Sequence, residues 1–397
     1  MQSIERHQVR RSRLRQIVLS LFLLVLILTG NSAQALNQIT VPFTLRGMHI
    51  YVNGSINDKP VTLVLDSGAG ANVVTPQGAA MLGLKLGRPG IAVGAGGKST
   101  DVHMVTLASL EVGGARAEKQ TAYIIPLPDA LRCDGLLGTP FFRQWVVTID
   151  YDACTVTLTP NGQFSPPANA VEFPTEFKMD TVHVQATVDG VKGLFKLDTG
   201  AADTLTLFGP FVKKNGMRNR YSPSIEIVTG RGVGGLLYGD EVRLPSFAIG
   251  PYEFKNVAST LSRQTQGVFA DPDLAGNIGE AILRRFKVTF DHTNRRLYLS
   301  KGLEYEKPFV GNRSGLAVDY VGGVSFARSV IAGSPAALAG IQEGDSIIGI
   351  DDGSKDKLQP WDLRDLLSGE VGTKVTLTVR TGAMPPRAVA FTLRELY

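Results

Sequence analysis

Cysteine is nearly missing from this chain: 397 residues hold two, Cys133 and Cys154. That scarcity excludes a disulfide-built scaffold and, with no ligand spacing around either thiol, a zinc site. Two readings of the pair stand open, a single bridge contributing roughly 2–4 kcal/mol in an oxidising compartment or two unpaired thiols. Histidine is also sparse, and His7, His49, His103, His183 and His292 show no paired spacing of the kind zinc needs. No metal or cofactor is expected. A charge of one sign is lacking too. The net charge of +5 comes from the first 35 residues, where Arg6, Arg10, Arg11, Arg13 and Arg15 face only Glu5. Beyond them 36 basic residues meet 35 acidic ones, which excludes a basic face for nucleic acid. After that leader no apolar run reaches the roughly 20 residues of a membrane span, and no nucleophile elbow of a serine hydrolase occurs.

The first 35 residues read as an export signal. Their arginines precede the apolar run Ile17–Leu28, and Ala33-Gln34-Ala35 follows as a small-residue cleavage site. Either the segment is removed after Ala35 or it stays as an N-terminal membrane anchor. Both readings place the remainder outside the cytoplasm, and the lack of a nearby cysteine argues against lipid modification. Membrane contact is expected only through this segment, if it is retained.

Glycine, in contrast, is abundant at 44 residues, and Val/Thr/Leu runs recur between turn residues, so the chain is expected to be mainly all-β. Strands are predicted at 48–53 and 59–65 around an Asn57-Asp58 turn, followed by a short helix over 76–82 capped by Thr75 and ended by Gly83. The order of features then repeats. Leu63-Val64-Leu65-Asp66-Ser67-Gly68-Ala69 returns as Phe195-Lys196-Leu197-Asp198-Thr199-Gly200-Ala201. Gly135-Leu136-Leu137-Gly138 returns as Gly276-Asn277-Ile278-Gly279, and Val147-Thr148-Ile149-Asp150 as Val288-Thr289-Phe290-Asp291. The offset grows from 132 to 141 along the chain, as small loop insertions in a duplicated fold would make it. The expected organisation is a signal at 1–35, a first lobe at 38–160, a linker at 161–170, a second lobe at 171–302 and a third unit at 312–397.

One Asp-Ser-Gly is an ordinary turn. Two of them, each after an apolar strand at the same place in a repeat, can bring two carboxylates together across a pseudo-two-fold axis. Like charges at that distance cannot both ionise, so one carboxyl keeps a proton while the other accepts one. That is what hydrolysis of a peptide bond by water requires. Gly68 and Gly200 let the backbone turn close to the partner lobe, and Ser67 and Thr199 offer hydroxyls to brace the turns.

On these residues the chain resembles the aspartic proteases, most closely the retropepsin-like branch in its single-chain, duplicated, bacterial form. The resemblance covers about 38–300. It implies two related all-β lobes, a cleft between them, a water held by Asp66 and Asp198, a peptide or protein substrate, and a periplasmic setting in the bacterial envelope. It also implies one hairpin flap per lobe, at Gly94, Gly96 and Gly97 and at Gly230, Gly232 and Gly234. Both glycine runs mimic nucleotide-binding loops, but strands rather than helices are predicted after them. Where many acid-optimum members of that family carry a hydroxyl after Asp-x-Gly, this chain has Ala69 and Ala201, so a pH optimum nearer neutral is expected. The polar Asn277 departs from its apolar counterpart Leu136.

Ser334-Pro335-Ala336-Ala337-Leu338-Ala339-Gly340-Ile341, with Gly344-Asp345-Ser346-Ile347-Ile348 after it, resembles the PDZ domains of bacterial envelope proteases. That implies a peptide added as a strand between 316–320 and a helix at 360–367, with its carboxylate at Gly315, Leu316, Ala317 and Val318. The expected whole is an exported aspartic endopeptidase whose third unit recruits or regulates substrate. A protease-like scaffold that binds peptide without cutting it is the alternative.

Overall fold

The computed structural model describes residues 38–221, 224–350 and 358–396, so the candidate export signal lies outside the described residues. Among the described residues no helix is long and apolar enough to cross a membrane. The first lobe begins with the strands His49–Ile56 and Lys59–Leu65, joined by Asn57 and Asp58 at φ 51° and 62°. Two left-handed residues in a row give the turn whose twist matches the flanking strands. The register Tyr51↔Val64 and Ile56↔Lys59 follows from that tight connection. The helix Pro76–Leu82 forms as its ends dictate: the Thr75 hydroxyl accepts the Gly78 N–H, and Gly83 closes it at φ 70°.

The second lobe repeats this plan strand for strand. Lys59–Leu65 pairs in parallel with Gly135–Leu137, and Val191–Leu197 pairs the same way with Gly276–Ile278. Each lobe is an eight-stranded sheet with the same strand order. A six-stranded sheet joins them, with Trp145–Asp150 antiparallel to Phe286–Asp291 at its centre. There Thr148 faces its own repeat, Thr289, with the two hydroxyls 2.8 Å apart. The pseudo-two-fold axis passes between them, and one apolar core runs through both lobes.

After the strand Arg296–Lys301 the chain does not hang free. Tyr305 and Phe309 enter the second lobe's core, and the Arg285 guanidinium donates to the carbonyls of Glu304, Tyr305 and Lys307 while stacking on Phe309. The C-terminal unit has its own five-stranded sheet and core, with the helix Pro360–Leu367 packed on it. Cys133 and Cys154 are free thiols, one half-buried and one exposed, so of the two open readings the unpaired one holds.

Candidate active site

Each acid stands at the end of a strand fixed from below. Asp66 N–H donates to Leu137 O at 2.9 Å, and Asp198 N–H to Ile278 O at 3.0 Å. Each carboxylate then accepts the glycine N–H two residues on, Gly68 to Asp66 at 2.9 Å and Gly200 to Asp198 at 3.0 Å. The two turns are cross-braced. Ser67 N–H donates to the Thr199 hydroxyl (3.0 Å) and Thr199 N–H to the Ser67 hydroxyl (3.1 Å). The same hydroxyls donate onward to Leu197 O and Leu65 O in the opposite lobe. All four groups are buried, where each unmade bond would cost about 1–3 kcal/mol.

The glycines are required by the partner's acid. A side chain on Gly68 would overlap the Asp198 carboxyl group, and one on Gly200 would overlap that of Asp66. Each carboxyl is thereby set against the turn that carries the other, near enough for the charge of one to act on the other. Enclosure in the cleft, then the negative charge of Asp198, push Asp66 up from 3.8 to about 7, against the opposing pull of Lys196 and the Gly68 N–H.

The floor is less symmetric than the frame. In the first lobe it is apolar, with Val64 opposite Leu136 and packed with Tyr51, Val73 and Ile125. In the second, Lys196 stands opposite Asn277, with His183 on its other side. Lys196 Nζ lies 3.0 Å from Asp198 Oδ2 and also donates to Gly68 O at 3.3 Å. Asn277 is fully buried with its amide nitrogen and oxygen unpartnered among the described residues. Burial lowers both His183 and His49 to about 4, so both are neutral above that. Asp203 is raised to about 6 by burial and accepts a 2.5 Å bond from Thr206.

The glycine runs are tips between strands. Gly94–Gly97 lies between Pro89–Val93 and Ser99–Val112, and Gly230–Gly235 caps the hairpin of Ile225–Gly232 and Gly235–Ile249. No helix follows either, so the phosphate-loop geometry is absent at both. The tips meet: Gly96 N–H donates to Val233 O at 2.9 Å and Lys98 N–H to Gly234 O at 3.3 Å. Each reaches past the axis, Val233 packing with the first lobe's floor cluster and Ala95 with a second-lobe cluster of Leu194, Phe208, Phe269 and Leu274. Under them lies a cavity of about 1130 Å³ that holds both acids.

That cavity continues to the C-terminal unit, where Leu316, Ala317, Val318, Trp361 and Arg364 line it. Gly315, just before this wall, has its N–H donated to Asn312 Oδ1 at 2.9 Å, and Leu316 N–H goes to the Ser314 hydroxyl at 3.1 Å. Two of the N–H groups expected to meet a terminal carboxylate therefore already have partners within the unit. Arg231, at the base of the second tip, pairs with Asp319 at 2.5 Å, and Arg364 donates to Ala202 O. Trp361 packs edge-on against Tyr51, with Arg46 over both rings. The structure brings together the acids, the hydroxyl residues and the glycine tips that the sequence singled out, and sets beside them Lys196, His49, His183 and Arg364, which sequence reasoning did not single out. Lys196 was within reach: in an alternating strand it shares a face with Asp198, where the first lobe carries valine.

Fold and site together define a duplicated, two-lobed aspartyl-protease architecture. Comparison with protein families agrees, an aspartyl protease model matching twice, at 52–141 and at 184–277. A PDZ domain model matches 326–381, which points to peptide binding by the C-terminal unit. The chain therefore carries two retropepsin-like aspartyl-protease domains, followed by a PDZ domain. No curated protein sequence matched it.

Proposed function

We propose that the protein is an exported aspartic endopeptidase, acting in the periplasm of a bacterial envelope, and that its PDZ domain recruits or regulates substrate. The observation that carries the reading is the pair of carboxyls, each seated over the other lobe's glycine and braced by the reciprocal Ser67–Thr199 bonds. A water between them loses a proton to the ionised carboxylate as its oxygen attacks the scissile carbonyl carbon. The protonated carboxyl gives its proton to the carbonyl oxygen, forming a tetrahedral gem-diol. The carboxyl that took the water's proton then gives it to the amide nitrogen, and the other carboxylate takes a proton from a gem-diol hydroxyl. The C–N bond breaks to release acid and amine, with the pair back in its starting state. The floor and the closed tips hold an extended peptide across this point and exclude bulk water. Export is supported by the arginine-led apolar run before Ala33-Gln34-Ala35.

The test is digestion of a peptide library by the purified chain beside Asp66→Asn and Asp198→Asn. Cleavage by the parent and its loss, by a factor of about 10³ or more, in both folded variants is expected. A parent that binds peptides but cuts none would make the protein a peptide-binding scaffold instead.

A further inference from the structure

A duplicated fold with two equal acids has no built-in choice of which one holds the shared proton. This chain departs from symmetry along the floor, where an apolar first lobe faces a polar second one. Val64 and Leu136 of the first lobe are replaced by Lys196 and Asn277 in the second. The Lys196 side chain is 9% exposed, and an unpaired ammonium buried that deeply would cost several kcal/mol. It has two partners, Asp198 Oδ2 at 3.0 Å and, across the axis, Gly68 O at 3.3 Å. It therefore ties the second acid to the turn that carries the first.

We propose that Lys196 is a positioning residue of the pair: its ammonium keeps the negative charge on Asp198 and leaves the shared proton on Asp66. The inference rests on the hydrolytic reading above and adds to it fixed roles, Asp198 as the base toward water and Asp66 as the acid toward the carbonyl oxygen. A purely structural ion pair would support the fold without deciding those roles.

Several other charges face this centre. From the neighbouring strand comes His183, beside Lys196, with Lys178 farther along the same hairpin; from the first lobe comes His49. Both histidines are neutral above about pH 4. Asp203 and Glu280 are acids near Asp198, one raised to about 6 and one well above its ordinary value, both chiefly by burial. Arg364 of the C-terminal helix acts on His49 and Asp203. These groups are common to parent and variant, so the informative quantity is the difference between their pH profiles.

The test is the pH profile of kcat/KM from 4 to 9 for the full chain, Lys196→Met, Lys196→Gln and Lys196→Arg. A positive charge favours ionisation of both acids, so its removal makes each ionise at a higher pH. Both limbs are expected to move up by roughly 1–2 pH units in the Met and Gln variants and to stay in place in the Arg variant. Gln keeps a donor for Gly68 O without charge, which covers the case in which the Met variant does not fold. Limbs that stay where the parent has them, whatever happens to kcat, would overturn the proposal. If the parent cuts nothing, the hydrolytic reading fails, and the pH dependence of the melting temperature still decides the ion pair. Parent and Gln variant with parallel curves would reject it, whereas a gap that changes between pH 4 and 8 would support it.

Discussion

At the scale of the residue, the site is a set of mutual exclusions. Gly68 is glycine because Asp198 occupies the space where a side chain would be, and Gly200 answers to Asp66 in the same way. The hydroxyls of Ser67 and Thr199 each accept from one backbone N–H and donate to one backbone carbonyl of the other lobe. Thr199→Val keeps the shape but leaves Ser67 N–H and Leu65 O unpaired, so chemical denaturation should show a loss of about 2–4 kcal/mol. Asp66 offers a check by pH. Because its folded value is raised, to about 7, it holds a proton that the unfolded chain has released. The resulting stabilisation is fully present below about pH 4 and disappears as pH rises through about 7. Asp66→Asn should therefore gain stability relative to the parent between pH 5 and pH 8, by a few kcal/mol at most. A melting-temperature difference independent of pH would contradict this account. The same value sets the descending limb of the proposed activity near neutral pH, where Asp66 gives up the proton it must donate.

At the scale of the element, paired strands decide what each face presents. The alternation that aims Asp66 and Val64 to one side aims Asp198 and Lys196 to the corresponding side of the other lobe. A strand pattern could have exposed the lysine as an anomaly, since a charge on a buried face needs a partner. Its partner Asp198 stands two residues on, on the same face, whereas its second partner, Gly68 O across the axis, is one that no strand pattern selects. The tips are a different case. Their glycines were legible as turns, but the reason for them is contact: a side chain on Gly96 would strike the backbone of Gly234 and Gly235. Gly96→Val should hold the tips apart and lower kcat/KM by at least ~10-fold, with the melting temperature little changed. Steady-state kinetics on a fluorogenic peptide measures it, and an unaltered kcat/KM would show that the tips need not meet for cleavage.

At the scale of the whole molecule, the third unit shares a wall with the cleft. Its strand Leu316–Val321 faces the second tip, where Arg231 pairs with Asp319, and Arg132 of the first lobe donates to the Tyr320 hydroxyl at 2.9 Å. Asp319 is held by Arg328 as well, and these guanidinium groups keep its carboxyl below the usual range against the effect of burial. Opening the second tip therefore means breaking a partly buried ion pair. Asp319→Asn should loosen residues 225–235, seen as faster amide exchange there, and raise turnover of short peptides roughly threefold or more. Unchanged exchange at those residues would show that the pair places no restraint on the tip.

What the sequence determined alone was everything set by local order and by repetition. The strand–turn–acid segments, the left-handed Asn57-Asp58 hairpin, the helix capped by Thr75 and the two-lobed all-β plan depend on spacing, turn chemistry and a duplication visible in the residues. What only the tertiary structure decided was which unlike residues become neighbours. The reach of Lys196 across the axis to Gly68, His49 and Arg364 beside the acids, and the third unit against the second tip depend on interactions between segments far apart in the chain. Their alternatives are equally compatible with the local pattern. Burial selects among them, because a charge taken out of water must find a partner wherever the fold has put one.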